Sequence, residues 1–397
     1  DVPFNGFDGN PDIADAATEI SGLEDFTGPK VNGQVTPATI FRGCYEGDLA
    51  GPYVSQFLLH DIPYGSLTIS QQQRTVVPNQ DFLTDFPSWL AIQNGGPAGD
   101  DDLDPTLRYV RSMRDLGRYV HVDALYEAYL NACLILLGHG APFDPGNPYE
   151  PPKPDAATQI GFGTFGGPHV LSLVTEVATR ALKAIWWQKW FVHRRLRPEA
   201  YGGLIHVKVA GVGGTTKDYP IHQQVLDSEA LARTHSKNGT YLLPMQFKEG
   251  SPTHPSYGAG HATVAGACVT ILKAFFDDRV KLADLPSPID AKVANADGTG
   301  LDAYTGADAG DLTIAGELNK VAANISIGRN MAGVHWRSDY TASVKLGEKV
   351  ALSVLRAQRK DYHEKDWSFS LCTFEGERVR VDRKGVFDSE GKKLDLD

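Results

Sequence analysis

Apolar residues recur at helical spacing through the middle and second half of the chain. Val122, Leu125, Tyr126, Tyr129, Leu130, Cys133 and Leu137 predict a helix over Tyr119–Leu137, ended by Gly138. A second helix is expected from about His169 to Arg195, with Pro198 breaking it soon after Arg197. Ala262–Phe276 is almost wholly apolar, which predicts a buried helix. Two more helices are expected at about Leu312–Asn330 and Ser338–Arg359. Between these elements, 151–167 is rich in Pro and Gly and reads as a long loop, and 280–312 as a long Asp/Gly/Ala-rich connection. The first hundred residues carry only short apolar runs among Gly, Pro and Asn, and 1–40 reads as an extended arm suited to exchange between subunits. The tail from Phe369 alternates (Val379, Val381, then Val386), so 369–397 predicts a short hairpin or extended arm. The fold class expected is all-α: one helical-bundle domain over 1–397, with long loops and a minor β-hairpin.

Composition narrows the partners. A chain of 397 residues is long enough for a dry core. Its formal net charge of -11 argues against nucleic acid or an anionic membrane as the main partner. No apolar run reaches the ~20 residues of a bilayer-spanning helix, so no membrane span is expected. The chain begins at Asp1 rather than Met, and the sequence is silent about any targeting segment before it. Cys133 and Cys268 read as buried small hydrophobes, while a Cys44–Cys372 disulfide is left open. Asp8, Asn10, Asp12 and Glu19 partly mimic a calcium loop. Ile13 stands where the loop glycine belongs and Pro11 intrudes, so a plain surface loop is preferred to a structural calcium. The acidic run Asp100–Asp104 reads as a solvated loop.

A basic pocket in so acidic a chain needs a local cause, and three short stretches supply one. In the first, Lys189 and Arg197 close the helix that also carries Trp186, Trp187, Trp190 and Phe191. A guanidinium grips two oxygens of an oxyanion and an ammonium acts as a point charge. Arg194 and Arg195 need be no more than cations at a helix C-terminus. In the second, Gly258, Ala259 and Gly260 lead through His261 directly into the buried helix. A helix N-terminus offers free N–H groups and the positive end of its dipole, and glycine permits close approach. His261 is placed for acid–base work there, and histidine is a poor cap. In the third, Arg329 and His335 flank a turn at Gly333, and Asp339 follows His335 closely enough to accept from its ring. Together the stretches hold three permanent positive charges, two histidines and a helix N-terminus, the inventory for gripping a phosphate-like anion.

The pattern Lys-x7-Arg-Pro, Gly-His at a helix start, then Arg-x5-His-x3-Asp resembles the signature shared by vanadium-dependent haloperoxidases and the acid phosphatases related to them. The words VHRRLRPEA (192–200), PTHPSY (252–257) and IGRNMAGVHWRSD (327–339) resemble the algal and cyanobacterial bromoperoxidases in particular, and the likeness extends to 47–65. The resemblance implies a vanadate cofactor with His335 as axial vanadium ligand. Lys189, Arg197 and Arg329 would neutralise the vanadate oxygens, and the Gly260 N–H would donate to another. His261 would accept a proton from hydrogen peroxide, and Lys189 would polarise the peroxide. His254 and Asp339 would stand behind these groups. Bromide or iodide would be oxidised to hypohalous acid, which halogenates a small organic acceptor, and a homo-oligomer is expected. One position departs from the pattern: where family members carry Ser before Gly-His, this chain has Ala259. The competing expectations are an acid phosphatase with His335 as nucleophile and His261 as acid, and a non-catalytic oxyanion-binding protein.

Overall fold

The computed structural model describes residues 1–150 and 158–395. In chain order the helices are α1 (Pro11–Ser21), α2 (Phe86–Gln93), α3 (Met113–Tyr119), α4 (Glu127–Gly138), α5 (Gly167–Trp187), α6 (Pro198–Val209), α7 (Gln223–Leu226), α8 (Glu229–Asn238), α9 (Gly260–Phe275), α10 (Ile314–Met331) and α11 (Arg337–Gln358). Among the described residues the strands form four small antiparallel sheets. Three are two-stranded: β1–β2 (Ile62–Tyr64, Leu67–Ile69), β3–β4 (Gln73–Val76, Leu103–Arg108) and β5–β6 (Lys292–Ala294, Leu301–Ala303). The fourth joins β7 (Ser368–Cys372), β8 (Arg378–Asp382) and β9 (Gly385–Asp388). The mainly helical architecture is the one expected.

The core is organised around α9. Ala262 through Phe275 are all buried, because nearly every position is apolar or small and neighbours cover every face. α5, α10 and α11 surround it. The α9–α11 crossing is close enough to require glycine on both sides: a Cβ on Gly266 would run into the Val344 carbonyl, and one on Gly347 into the Thr263 carbonyl. α10 is buried over Ile314–Arg329 although it carries Lys320 and Glu317. These two pair at 2.5 Å, and Glu317 also accepts from the backbone N–H of Gln56. A buried charge is tolerated only when it is paired and hydrogen-bonded in this way.

Several local expectations are corrected. The helix expected over Tyr119–Leu137 begins only at Glu127, as α4: Tyr119 ends the separate α3, and 120–126 is a linker. Helical periodicity reads through such a break because Val122 and Leu125 stay in phase. Pro198 does not merely end a helix; it is the first residue of α6, where its missing N–H costs nothing. The helix before it ends as a π-helical turn over Gln188–His193. Of the loop expected over 151–167, residues 151–157 lie outside the described residues. The 280–312 connection contains the β5–β6 hairpin, and the tail forms three strands rather than one hairpin.

The first forty residues are no extended arm either. Phe4 stacks on Tyr53 with ring centroids 5.0 Å apart, Phe7 is buried, and α1 packs Ala17 against Val35 and Ile40. Asn10 caps α1 by accepting from the Ile13 N–H, and Glu19 accepts from the Ala230 N–H. The supposed calcium loop is thus a helix start, and among the described residues no group of three or more His, Cys, Asp or Glu could hold a metal. All four cysteines are free. The acidic run is paired rather than merely solvated, Asp101 with Arg118 and Asp102 with Lys248. No helix among the described residues is long and apolar enough to cross a membrane.

Overpacking a tight crossing costs roughly 1–3 kcal/mol. Gly266→Ala should lower the denaturant midpoint by about that much, and Gly347→Ala likewise; a midpoint unchanged in both variants would show that the crossing can open freely.

Candidate active site

At one end of the bundle α5 and α10 finish while α9 and α11 begin, and the residues of the three basic stretches, Lys189, Arg197, His254, His261, Arg329, His335 and Asp339, lie there. The π-helical turn is the first device. Its extra residue shifts the register after α5, so Lys189 turns inward and is fully buried. Trp186, Trp187, Trp190 and Phe191 remain 40–65% exposed around it. The Lys189 ammonium donates to the carbonyls of Pro255 (2.6 Å) and Ser256 (3.2 Å). An ammonium has three N–H donors, so one is left for a ligand.

Arg197 is the N-cap residue of α6 and is 6% exposed. Its guanidinium is held by the carbonyls of His254 (3.0 Å) and Val334 (2.7 Å) and reaches His335 Nε2 (3.0 Å) and His254 Nδ1 (3.1 Å). Arg329, on the last turn of α10, donates to the Val120 carbonyl at 2.7 Å. Its Nε is buried with no hydrogen-bond partner.

The two histidines are locked in different tautomers by their neighbours. His335 Nδ1 lies 2.9 Å from Asp339 Oδ2, a carboxylate oxygen that can only accept. Nδ1 therefore carries the proton, and Nε2 presents its lone pair to the cluster of cations. His261 is the reverse. Its Nε2 lies 3.0 Å from Asp123 Oδ1, so Nε2 carries the proton and Nδ1 is free to accept one. His261 is the second residue of α9, whose first turn has no side-chain cap. Gly260 opens that turn and Ala259, 3% exposed, precedes it; the Ala259 N–H donates to Ser343 Oγ at 2.9 Å. His254 stands behind Arg197 with its ring 5.0 Å from that of Trp186.

The electrostatics follow from packing like charges together out of water. Burial first, then the neighbouring Arg197, lowers Lys189 to about 7. Burial and Arg329 lower Arg197 to about 9, and burial lowers Arg329 to about 10, so both stay charged at neutral pH. Burial, with Lys189 and Arg197 beside it, pushes His254 down to about 3. Burial and the same cations hold His335 well below the usual imidazole range. His261 is lowered by burial and Arg329, against the opposing pull of Asp123. Both histidines are therefore neutral at pH 7. The pocket is an excess of fixed positive charge facing two neutral imidazoles, an uncapped helix N-terminus and an orphaned guanidinium N–H. Such a site is complementary to a multiply charged oxyanion.

Four contributing residues escaped the sequence reading. Asp123 lies on the α3–α4 linker, hidden by the expectation of one continuous helix. Ser256, fully buried, donates to Asp339 at 2.5 Å. Arg195, set aside as a helix-end cation, bonds Asp339 Oδ1 at 3.0 Å. Glu199, buried in the first turn of α6, accepts from the Ser251 N–H at 2.6 Å and fixes the start of the loop that leads to His261. Acidic residues just ahead of α4 and early in α6 were visible in the sequence; their partners were not.

A family model for the VCPO second helical-bundle domain matches residues 171–364. The vanadium-dependent bromoperoxidase of Corallina pilulifera is 41% identical over 96% of this chain and 71% of its own length. That of Ascophyllum nodosum is 35% identical over 99% of this chain and 71% of its own length. A solved homohexameric structure of the second vanadate-dependent bromoperoxidase from Ascophyllum nodosum superposes with a TM-score of 0.87 at 29% identity, covering 98% of this chain and 69% of that one.

Because Lys189 is charged below about 7 and neutral above it, sulfate, which does not titrate in that range, should bind more weakly as pH rises past 7. A Lys189→Met variant should bind weakly throughout and lose this dependence. Calorimetric titration across pH 6–9 checks both; a wild-type affinity flat over that range would remove Lys189 from the anion's contacts.

Proposed function

The chain belongs to the vanadium-dependent bromoperoxidases, and on that premise we propose that it oxidises bromide with hydrogen peroxide at a vanadate held by the residues described above. One bromide, one peroxide and one proton give one hypobromous acid and one water. Hypobromous acid then halogenates a small organic acceptor, and iodide, easier to oxidise, serves as a second halide. The observation that carries the reading is the buried cluster of Lys189, Arg197 and Arg329: among the described residues no carboxylate forms an ion pair with any of the three, and the Arg329 Nε lacks a partner. A trianionic oxyanion satisfies both.

His335 Nε2 would be the protein's nitrogen ligand to vanadium, with Asp339 fixing the ring. Lys189, Arg197, Arg329 and the Gly260 N–H would hold the oxygens. Bound vanadate would supply a Lewis acid that activates peroxide without changing its own oxidation state. The chain's own part is to place charge and move one proton. His261 is neutral, its Nε2–H is committed to Asp123, and its Nδ1 accepts the proton that incoming peroxide releases. Asp123 stabilises the imidazolium that results. The third N–H of Lys189 pulls electron density from the peroxide, and because Lys189 is already buried and fixed, little reorganisation is needed at that moment. His254, kept neutral, accepts from Arg197 and holds it in the pocket wall.

The exposed stripe of Trp187, Phe191, Val192 and Leu196, each at least half exposed, supports a homo-oligomer, since apolar patches of this kind are commonly covered. The Ascophyllum relative is a homohexamer.

Vanadate-free protein given vanadate, peroxide and bromide should brominate a phenol-red-type dye, and dialysis against a vanadium chelator should abolish it. Phosphate-ester hydrolysis with no bromination under those conditions would instead identify a phosphatase. Ala259 leaves one wall of the pocket without a hydroxyl. A hydrogen bond to a charged group contributes about 1.5–3 kcal/mol, so Ala259→Ser should tighten vanadate binding roughly tenfold or more. Equal dissociation constants for the two proteins would mean that something else already fills the position.

A further inference from the structure

Ser256 joins all three site stretches through one buried residue. It belongs to the loop before α9. Its backbone N–H donates to the Arg195 carbonyl at 2.9 Å, and its carbonyl accepts from the Lys189 ammonium at 3.2 Å, tying it to the π-helical turn. Its hydroxyl donates to Asp339 Oδ2 at 2.5 Å, tying it to the start of α11. That same oxygen accepts from His335 Nδ1 at 2.9 Å and from the Trp336 N–H at 3.1 Å, while Oδ1 accepts from Arg195 at 3.0 Å. Asp339 is fully buried and its carboxylate therefore receives four donors. Held by these four donors, the carboxylate cannot rotate, and His335 cannot turn its ring, without breaking a bond.

We propose that Ser256 is a positioning residue for vanadate: its hydroxyl orients Asp339, and through it His335, while its carbonyl aims Lys189, so that the nitrogen that would hold the group and a cation beside it are set by one side chain and its own backbone. The proposal rests on the vanadate reading above. Two features distinguish this arrangement from ordinary core filling. The hydroxyl contacts a carboxylate that itself touches the nitrogen ligand's ring, and the contact is a short, charge-assisted one in a site without water access at Ser256. Outer-shell hydrogen bonds to a metal-binding histidine typically contribute ten- to a hundredfold in affinity. The Ser256 hydroxyl acts on vanadate through Asp339, and substitution leaves the backbone carbonyl in place, so the effect of removing the hydroxyl should disappear once Asp339 can no longer accept as a carboxylate.

The test is a double-mutant cycle read by equilibrium dialysis of vanadate, with thermal melts to confirm that each variant is folded. Ser256→Ala should weaken vanadate binding by roughly tenfold or more, and Asp339→Asn should weaken it as well. The double variant should bind about as tightly as Asp339→Asn alone, because the two residues act in series. Ser256→Thr, which keeps the hydroxyl, should recover most of the affinity lost in Ser256→Ala. If Ser256→Ala does not fold, Ser256→Cys takes its place with the same expectations, since it keeps the volume and has a much weaker donor. Unchanged affinity in Ser256→Ala overturns the proposal, as do losses that simply add in the double variant. Absence of vanadate binding by the wild-type protein would instead overturn the functional reading on which the proposal stands.

Discussion

Three cations buried within reach of one another are the constraint around which this molecule is built. Burial makes each of Lys189, Arg197 and Arg329 more costly than it would be at the surface and lowers the pKa of each, and repulsion from Arg197 and from Arg329 lowers Lys189 and Arg197 further. Among the described residues no carboxylate pairs with them directly; Asp339, Glu199, Asp123 and Glu249 offset them only from a distance. Instead, backbone carbonyls of His254, Pro255, Ser256, Val334 and Val120 point at them and hold them in place. Carbonyl dipoles stabilise a cation without cancelling its charge. The site is thus positioned by neutral groups and left electrically unfinished until an anion enters.

That requirement explains the irregular backbone at this end of the bundle. A regular helix satisfies its own carbonyls and has none to offer. The loop ahead of α9, the turn after α10 and the linker between α3 and α4 have carbonyls to spare, and each gives at least one to a cation. The carboxylates sit one layer further out: Asp339 on His335 and Arg195, Asp123 on His261, and Glu199 on the loop. They fix histidine tautomers and loop position while staying off the face meant for the ligand. A carboxylate turned inward would satisfy the cations and close the pocket to an oxyanion.

The rest of the fold keeps these ends in register. α9 is an apolar rod whose N-terminus is part of the site, so any slip of α9 against α11 moves Gly260 and His261 relative to His335. The glycine contacts of Gly266 and Gly347 fix that crossing at backbone distance. Packing far from the chemistry thereby controls distances within it.

The sequence by itself determined the chemistry-bearing residues and the main helices. α5, α9, α10 and α11 came from apolar periodicity, which is a local property of each segment. Lys189, Arg197, His261, Arg329 and His335 came from residue types unusual beside apolar helices, and their family from the spacing of three short words. The tertiary structure decided what links those words. Asp123, Ser256, Arg195 and Glu199 are ordinary polar residues in sequence, and they matter only for what they touch across separations such as the 138 positions between Asp123 and His261. The linker that carries Asp123 was invisible because periodicity continues through a break. The fate of the N-terminal forty residues was equally illegible, since Phe4 and Phe7 declare a need for burial but not the surface that meets it. Local pattern specifies which groups must be buried or charged; only the folded chain specifies their partners, because pairing is a property of space and not of sequence distance.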